Sequence, residues 1–202
     1  MARKHRGKRP YFDVDARTLA AKKAGYAARS VFKLEEIDRR VELFKQGDHV
    51  LDLGAAPGSW SAYAAKQIGQ TGKLLAIDLE PLTQALPAWA HVVEGDIYEL
   101  DETLEQFAPY DAVVSDMAPN TTGDKIIDQL RSFHLFSRAL EISGKLVKPG
   151  GHFVGKIFMS GEFPEARERV RKLYGKVRTI RPAAVRAMSY EIFLVGLGRR
   201  ES

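Results

Sequence analysis

The sequence predicts an α/β domain whose mostly parallel, seven-stranded sheet carries helices on both faces. Two observations support this prediction. Short apolar runs alternate with longer stretches of helical periodicity, and this alternation is typical of parallel strands connected by helices. The last two apolar runs, 176–180 and 190–197, are separated by too few residues for a crossover helix, so we expect one antiparallel strand.

The first half of the chain is expected to supply two helices and three strands. Apolar residues recur at helical spacing over 27–44, and this helix should end near Gly47. Each strand is a short apolar run that stops at a glycine, proline or aspartate. In order, we predict a helix at 27–44, a strand at 49–53, a helix at 60–68, and strands at 73–79 and 91–94.

The second half is expected to continue the alternation. A long helix should begin at Thr122 or Asp124 and reach Leu146, because the sequence K-P-G-G at 148–151 stops a helix. The other elements predicted here are strands at 110–116 and 152–158, a helix at 164–174, and the two final strands.

Residues 1–24 are predicted to form a basic N-terminal arm, and residues 25–202 a single domain. The arm is polar and lacks a sustained hydrophobic period, so its order should depend on a bound partner. With 45% hydrophobic residues, the 202-residue chain can bury one sizeable core. No internal repeat or second domain is visible.

Several classes of protein are disfavoured by composition. No apolar run approaches the roughly 18 residues of a membrane span, and the charged start lacks the apolar segment of a secretory signal. The chain has no cysteine, which suits a reducing cytoplasm. Its five histidines lack ligand-like spacing, so we expect no metal site. No apolar stripe demands a partner, and a monomer is expected.

The net charge of +5 is unevenly distributed. The first 33 residues contain ten lysines and arginines, and residues 165–186 contain eight, against two acids in each segment. Between Lys73 and Lys125 there is no lysine or arginine. A single charged run is most often a solvated face, but two basic segments around an acidic middle favour a bound polyanion. The acidic middle suits a small cationic ligand.

The segment D-L-G-A-A-P-G, from Asp52 to Gly58, follows the first strand and predicts a cofactor loop. Gly54 and Gly58 allow a tight turn and a close approach to a ligand. The spacing differs from the G-x-G-x-x-G of dinucleotide-binding loops. A carboxylate at Asp52 repels phosphate but suits an amino-acid ammonium, which favours S-adenosylmethionine over NAD.

Two further acids follow the next strands. Asp78 is placed to accept hydrogen bonds from ribose hydroxyls, and Asp96 from an adenine amino group. Each has an alternative role as a local cap in a turn, and Trp60 could equally be a core aromatic at a helix start. Three acids on consecutive strand ends favour the cofactor interpretation.

Five segments together resemble, in order and spacing, the FtsJ/RrmJ family of ribose 2′-O-methyltransferases. They are Y-A-A-R-S-V-F-K-L (26–34), D-L-G-A-A-P-G-S-W-S (52–61), S-D-M-A-P-N (115–120), G-K-I-F (155–158) and S-Y-E-I-F-L-V (189–195). The resemblance covers Arg9 to Arg200. It implies a Rossmann-like class I S-adenosylmethionine-dependent methyltransferase fold. The most similar branch acts on a uridine of large-subunit ribosomal RNA, while other relatives modify tRNA, pre-ribosomal RNA or caps.

The resemblance also implies particular site residues. They are a catalytic tetrad of Lys33, Asp116, Lys156 and Glu191, and cofactor contacts from Gly58, Trp60, Asp78, Asp96 and Asp116. One departure is Ser59, where the bacterial pattern has a second glycine; serine should be tolerated if its φ is negative.

Elementary chemistry supports the tetrad independently. A ribose hydroxyl is a very weak acid, so its methylation needs a base. Burial disfavours the charged form of a lysine, and Lys156 lies in a predicted buried strand, so we assign it as the general base. Asp116 would orient Lys156 and contact the methionine end of the cofactor, while Lys33 and Glu191 hold the ribose or tune the base. In the alternatives, Lys156 extends to solvent from a sheet edge and Lys33 contacts a phosphate.

RNA, within the large ribosomal subunit, is the expected partner. Basic residues of the arm and of the first helix would neutralise phosphates: Arg3, Lys4, Arg6, Lys8, Arg9, Lys22, Lys23 and Arg29. Tyr11, Phe12 and Tyr26 could stack on bases or pack the arm onto the domain, and packing is favoured for Phe12. The rival functions are a family member acting on tRNA, a non-catalytic RNA-binding assembly factor, and an NAD-dependent oxidoreductase.

Overall fold

The structure is a computed structural model, and it describes residues 11–186 and 189–201. Within these residues the chain forms seven strands and six helices. The strands are β1 (His49–Leu53), β2 (Lys73–Asp78), β3 (His91–Glu94), β4 (Tyr110–Ser115), β5 (Val147–Phe158), β6 (Tyr174–Ile180) and β7 (Glu191–Arg199). The helices are α1 (Tyr11–Lys23), α2 (Val31–Val41), α3 (Ser59–Ile68), α4 (Asp101–Gln106), α5 (Lys125–Leu146) and α6 (Phe163–Leu173).

The sheet has the order β3-β2-β1-β4-β5-β7-β6. All neighbouring pairs are parallel except those that involve β7, which runs antiparallel to both β5 and β6. The prediction of a mostly parallel, seven-stranded sheet with one antiparallel strand is therefore confirmed. The short connection between β6 and β7 is the physical reason, since only a reversal can join neighbouring strands without a crossover helix.

The sheet is covered on both faces, and each face has its own apolar cluster. One cluster joins Leu51 and Leu53 of β1 to Leu104 of α4, Phe136 of α5 and Val170 of α6. The other cluster joins the opposite side of the sheet to α1, α2 and α3, through residues that include Ala21, Val31, Leu34, Trp60 and Ile68. Strands buried on both faces explain the near-continuous apolar runs of the sequence.

All seven predicted strands are present, although β5 begins at Val147, five residues earlier than predicted, and one predicted helix has different boundaries. The predicted helix over 27–44 is shorter, because it begins at Val31 and ends where Glu42 adopts φ 54°. The Asp38 carboxylate accepts hydrogen bonds from the amides of Leu43 and Phe44, which holds the chain as it leaves the helix. For α5, Asp124 is the N-cap, and its carboxylate accepts from the amides of two residues in the first turn.

The helices α1 and α4 were not predicted. The six residues of α4 are too few for a hydrophobic period, and Arg138 of α5 holds its start through an ion pair with Asp101. For α1, the buried Ala21 packs against the second cluster, and the Arg17 guanidinium donates to the carbonyl of Ala183. Tertiary contacts therefore order part of the predicted arm.

The division into an arm (1–24) and a domain (25–202) remains a prediction. The basic residues at 3–9 lie outside the described residues, as do the side chains of Tyr11 and Phe12. Tyr26, by contrast, packs against the second cluster. No helix in the described part of the chain is both long and apolar enough to cross a membrane.

Candidate active site

The carboxyl ends of the parallel strands lie along one edge of the sheet, and the candidate site occupies this edge. Within the sheet, Ser115 at the end of β4 lies opposite Leu53 of β1 and Gly155 of β5. Because β7 runs antiparallel, its first residue, Glu191, lies opposite Phe158 at the end of β5. The strands thereby deliver three of the four predicted catalytic side chains to one place.

The predicted tetrad forms a continuous chain of ion pairs. Lys156 Nζ lies 3.0 Å from Asp116 Oδ1. The other carboxylate oxygen of Asp116 lies 3.5 Å from Lys33 Nζ, which in turn lies 2.8 Å from Glu191 Oε1. The structure therefore brings all four side chains together, with each lysine next to a carboxylate.

Burial decides the electrostatics of the tetrad. The side chain of Lys156 is 5% exposed, that of Lys33 13%, and those of Asp116 and Glu191 15% each. Burial acts to lower the pKa of Lys33, but the charges of Asp116 and Glu191 outweigh burial and raise that pKa above its usual range. Lys33 therefore remains protonated at neutral pH.

Within the tetrad, Lys156 contacts only Asp116, and this contact holds its side chain inside the domain. Its Nζ also donates to the main-chain carbonyl oxygen of Asp116. The strand that carries it, β5, is an interior strand between β4 and β7. The alternative in which Lys156 extends to solvent from a sheet edge is therefore wrong.

Lys33 reaches the tetrad because the loop before α2 is anchored on α3. The indole N–H of Trp60 donates to the carbonyl oxygen of Ser30 at 2.9 Å. The hydroxyl of Ser59 accepts from the amide of Ala28 at 2.8 Å. Ser59 lies in the first turn of α3 with negative φ, so the departure from glycine is tolerated as expected.

A cavity of about 290 Å³ opens beside the ends of β1, β2 and β4. Its walls combine three carboxylates of the predicted site with main chain and apolar side chains. The lining residues are Gly54, Ala56, Ile77, Asp78, Leu79, Glu80, Gly95, Asp96, Ile97, Asp116, Met117, Ala118 and Leu135. None of them is a lysine or an arginine.

Gly54 is required where the loop after β1 passes the segment that follows β4. Its φ of +77° is strained for any residue with a side chain. A Cβ at this position would also lie 3.0 Å from the Cα of Met117. The loop can therefore pass close to the 116–118 segment only because residue 54 is glycine.

Asp78 and Asp96 reach the cavity while also ordering their own turns. Asp78 accepts from the amides of Ala56 and Glu80, at 2.8 and 3.0 Å. Asp96 accepts from the amide of Tyr98 at 3.0 Å, which is the local cap considered for it in the sequence. These roles are compatible with a ligand, because an ionised carboxylate has about four lone-pair sites.

Gly58 and Trp60 do not line this cavity. Gly58, with φ +107°, precedes α3, where a Cβ would crowd Gln84 and Leu82. Trp60 is buried, and its ring centroid lies 5.7 Å from that of Phe193. Their assignment as cofactor contacts remains a prediction.

Asp52 lies beneath the loop and does not line the cavity. Its side chain is fully buried, and the Ser61 hydroxyl donates to Oδ2 at 2.6 Å. Burial raises the pKa of Asp52 to about 7; the Ser61 hydrogen bond opposes this, and the charges of Asp116 and Asp78 add to it. Contact between Asp52 and a ligand ammonium remains a prediction.

A second cavity, of about 450 Å³, lies on the other side of the tetrad. Its lining residues are Ala28, Arg29, Ser30, Lys33, Ala184, Arg186, Ser189 and Glu191. Ser30, Ala184 and Ser189 were not singled out from the sequence, whereas Arg29 and Arg186 belong to the two basic segments. Leu135 and Met117 of the first cavity were also missed, because an apolar residue in a helix or loop carries no signal of a ligand.

The tetrad therefore separates the two cavities. Asp116 lines the first, Lys33 and Glu191 line the second, and Lys156 lines neither. Within the described residues, no group of three or more metal-ligating side chains was found.

Comparison with known proteins gives three results. The family model described as FtsJ-like methyltransferase matches residues 26–199. The ribosomal RNA large subunit methyltransferase E of Sorangium cellulosum is 61% identical over 194 residues, which cover 96% of this chain and 92% of that protein. Two solved structures share the fold.

The first is described as a ribosomal RNA methyltransferase from Plasmodium falciparum. It has a TM-score of 0.77 and 22% identity, and the match covers 88% of this chain and 100% of that chain. The second is Aeropyrum pernix fibrillarin with natively bound S-adenosyl-L-methionine. Its TM-score is 0.57 at 14% identity, over 90% of this chain and 73% of that one. At these identities the likeness establishes a shared Rossmann-like fold.

Replacing Asp52 by asparagine is predicted to change how stability depends on pH. With a pKa near 7 when folded and about 3.9 when unfolded, the folded protein binds more protons between about pH 4 and pH 7. The contribution of Asp52 to the free energy of unfolding is therefore greatest below pH 4. It decreases as the pH rises to 7, by roughly 4 kcal/mol at most. Asp52→Asn should remove that decline.

Denaturant unfolding across this pH range measures the effect. The exposed carboxylate of Glu99 provides the control, and Glu99→Gln should follow the wild-type profile. If the Asp52→Asn profile also ran parallel to wild type, Asp52 would be ionised in the folded protein and the prediction would be wrong.

Proposed function

The chain belongs to the FtsJ-like methyltransferase family, and on that premise we propose that it methylates a ribose 2′-hydroxyl in large-subunit ribosomal RNA, with S-adenosylmethionine as methyl donor. The observation that carries this proposal is the chain of ion pairs Lys156–Asp116–Lys33–Glu191 between two cavities. One cavity suits the donor and the other suits the ribose.

The residues of the first cavity fit S-adenosylmethionine. Its carboxylates suit a cationic ligand, and the absence of lysine and arginine from its lining disfavours the pyrophosphate of NAD. Asp78 would accept from the ribose hydroxyls, Asp96 from the adenine amino group, and Asp116 would contact the methionine end. Apolar residues such as Ile97 and Leu135 would flank the adenine. The bound donor supplies an electrophilic methyl group on a sulfonium.

The residues of the tetrad divide the remaining work. Lys33 stays charged because its pKa is raised, so it cannot serve as a base at neutral pH. Lys156, in its neutral form, is therefore the lysine assigned to accept the proton of the 2′-hydroxyl. Asp116 holds Lys156 Nζ in place through both its carboxylate and its carbonyl oxygen. Lys33 and Glu191, which face the second cavity, would hold the ribose.

The second cavity suits RNA. Arg29, Arg186 and Lys33 provide positive charge around it, and guanidinium groups recognise phosphate well. The basic arm would add phosphate contacts that carry affinity but little sequence information. The name of the Sorangium relative supports the large subunit as the source of the substrate, and the resemblance seen in the sequence supports a uridine. A monomer acting in the cytoplasm is proposed.

Replacing Lys156 by methionine tests the proposed base. Methionine keeps the apolar stem but removes the proton acceptor, so methyl transfer should fall by about 10²- to 10⁴-fold while RNA affinity stays near wild type. The measurements are transfer of labelled methyl groups to ribosomal RNA and equilibrium RNA binding.

The matched control for that variant is Lys145→Met. Lys145 is a lysine of α5 that pairs with Glu141, and its side chain is 61% exposed. Both variants are checked for folding by thermal unfolding. Methyl transfer that survives in Lys156→Met would exclude Lys156 as the base, and transfer absent from the wild type would favour the non-catalytic assembly factor.

Mapping of methylated riboses identifies the substrate. We expect that cells lacking the protein lose one ribose methyl group in large-subunit ribosomal RNA and regain it when the gene is restored. Mass spectrometry of nuclease fragments measures this. A methyl group lost from tRNA instead would assign the protein to the tRNA-modifying members of the family.

Deletion of residues 1–10 is predicted to weaken RNA binding without affecting cofactor binding. The deletion removes five lysines and arginines but leaves α1 intact. The slope of log affinity against log salt should become less negative by about 0.7 for each phosphate that the protein no longer neutralises. Binding isotherms at several salt concentrations measure the slope. An unchanged slope would mean that this segment does not bind RNA.

A further inference from the structure

An exposed aromatic residue lies immediately beside the tetrad. Tyr190 directly precedes Glu191, and 53% of its surface is exposed. The neighbouring Met159 is 42% exposed, and its amide donates to the carbonyl oxygen of Tyr190 at 2.8 Å. Lys125 at the start of α5 places Nζ 4.1 Å from the centroid of the Tyr190 ring. We name these three residues the Tyr190 ledge.

The ledge is held in place by structured elements. The side-chain amide of Gln129, one turn along α5 from Lys125, donates to the carbonyl oxygen of Met159 at 2.7 Å. Met159 follows Phe158, which pairs with Glu191 across the sheet. Hydrogen bonds and strand pairing therefore fix both the ledge and the tetrad to the same ends of β5 and β7.

The ledge adjoins the second cavity. Ser189, the residue before Tyr190, lines that cavity, and so does Glu191, the residue after it. If one ribose of a polynucleotide lies at the tetrad, the nucleotides next to it therefore lie near the ring of Tyr190.

The chemistry of the ledge matches an unpaired nucleobase. A tyrosine ring offers a rigid stacking surface that accepts any base, and a cation over the ring adds a favourable interaction. Among the side chains that the structure describes, no carboxylate lies within 4.0 Å of Lys125 Nζ, so the ammonium is available to a phosphate. Neither Tyr190 nor Lys125 belongs to the apolar clusters of the core.

We infer that the Tyr190 ledge stacks an unpaired base that flanks the methylated nucleotide, with Lys125 contacting the adjoining phosphate. This inference rests on the proposed function, since it assumes that an RNA ribose occupies the second cavity. RNA is favoured over a protein partner because a cation–aromatic pair adjoins a cavity that already carries two arginines. The exposed Ile126, Ile127 and Leu130 on the same turns of α5 make a protein partner the alternative to be tested.

The test compares variants of Tyr190 in binding to protein-free large-subunit ribosomal RNA. Tyr190→Ala should weaken binding on the order of 10-fold, whereas Tyr190→Phe and Tyr190→Trp, which keep a ring, should bind like the wild type. The matched control is Tyr98→Ala. Tyr98 is also 53% exposed and also lies beside a cation, with Arg138 5.5 Å from its ring. Its loss should leave RNA affinity unchanged.

A second measurement locates the stacked base. Short RNAs that span the mapped ribose are prepared with an abasic site at either neighbouring position. For one of these RNAs, Tyr190→Ala should cause no further loss of affinity, because the base and the ring act as a pair. Equal losses on the intact RNA and on both abasic RNAs would overturn the inference.

The outcomes separate this inference from the proposed function. If the wild type transfers no methyl group to RNA, the proposed function fails, whatever Tyr190 does. If the wild type is active and Tyr190→Ala binds protein-free RNA normally, the inference alone fails. If that variant loses activity only on assembled subunits, the ledge contacts a ribosomal protein, and the RNA inference is again overturned.

Discussion

The structure depends above all on four neighbouring charges that compensate one another with little help from water. Lys156, Asp116, Lys33 and Glu191 come from β5, the end of β4, α2 and the start of β7, and each charge has an opposite neighbour. Removing one partner from such a set leaves an uncompensated buried charge, which is strongly destabilising. The position of α2 on the sheet and the reversal of β7 are therefore constrained by the same contacts that separate the two cavities.

The two cavities are also joined mechanically. The loop before α2, which contributes Arg29 and leads to Lys33, is held by the hydroxyl of Ser59 and the indole of Trp60. Both residues belong to the helix that follows the cofactor loop. Gln84, which lies beside Gly58, forms hydrogen bonds with Ala27 and Gly25 of this loop. Hydrogen bonds from α3 and Gln84 therefore fix the loop that forms part of the wall of the second cavity.

The strands and the order of the candidate site residues were predictable, because each strand and each turn leaves a signal in a few consecutive residues. A parallel strand buried on both faces leaves a short apolar run, and the turns that line the first cavity leave an aspartate or a glycine at the strand end, as at Asp78 and Gly54. Other features left no local trace. The buried indole of Trp60 anchors the carbonyl oxygen of Ser30, a contact that its position in the sequence does not reveal. The helices α1 and α4 depend on contacts with distant residues such as Ala183 and Arg138.

The sequence by itself determined the α/β class, the antiparallel last strand and the identity of the four charged residues. The first two follow from periodicity and from the length of connections, and the four charged residues follow from motifs that resemble those of a known family. Only the tertiary structure decided that Lys33 pairs with both carboxylates, that Lys156 Nζ contacts both the carboxylate and the carbonyl oxygen of Asp116, and that Asp52 lies beneath the loop. Burial and electrostatic pairing are set by residues far apart in the chain, so they exist only once the strands and α2 have assembled.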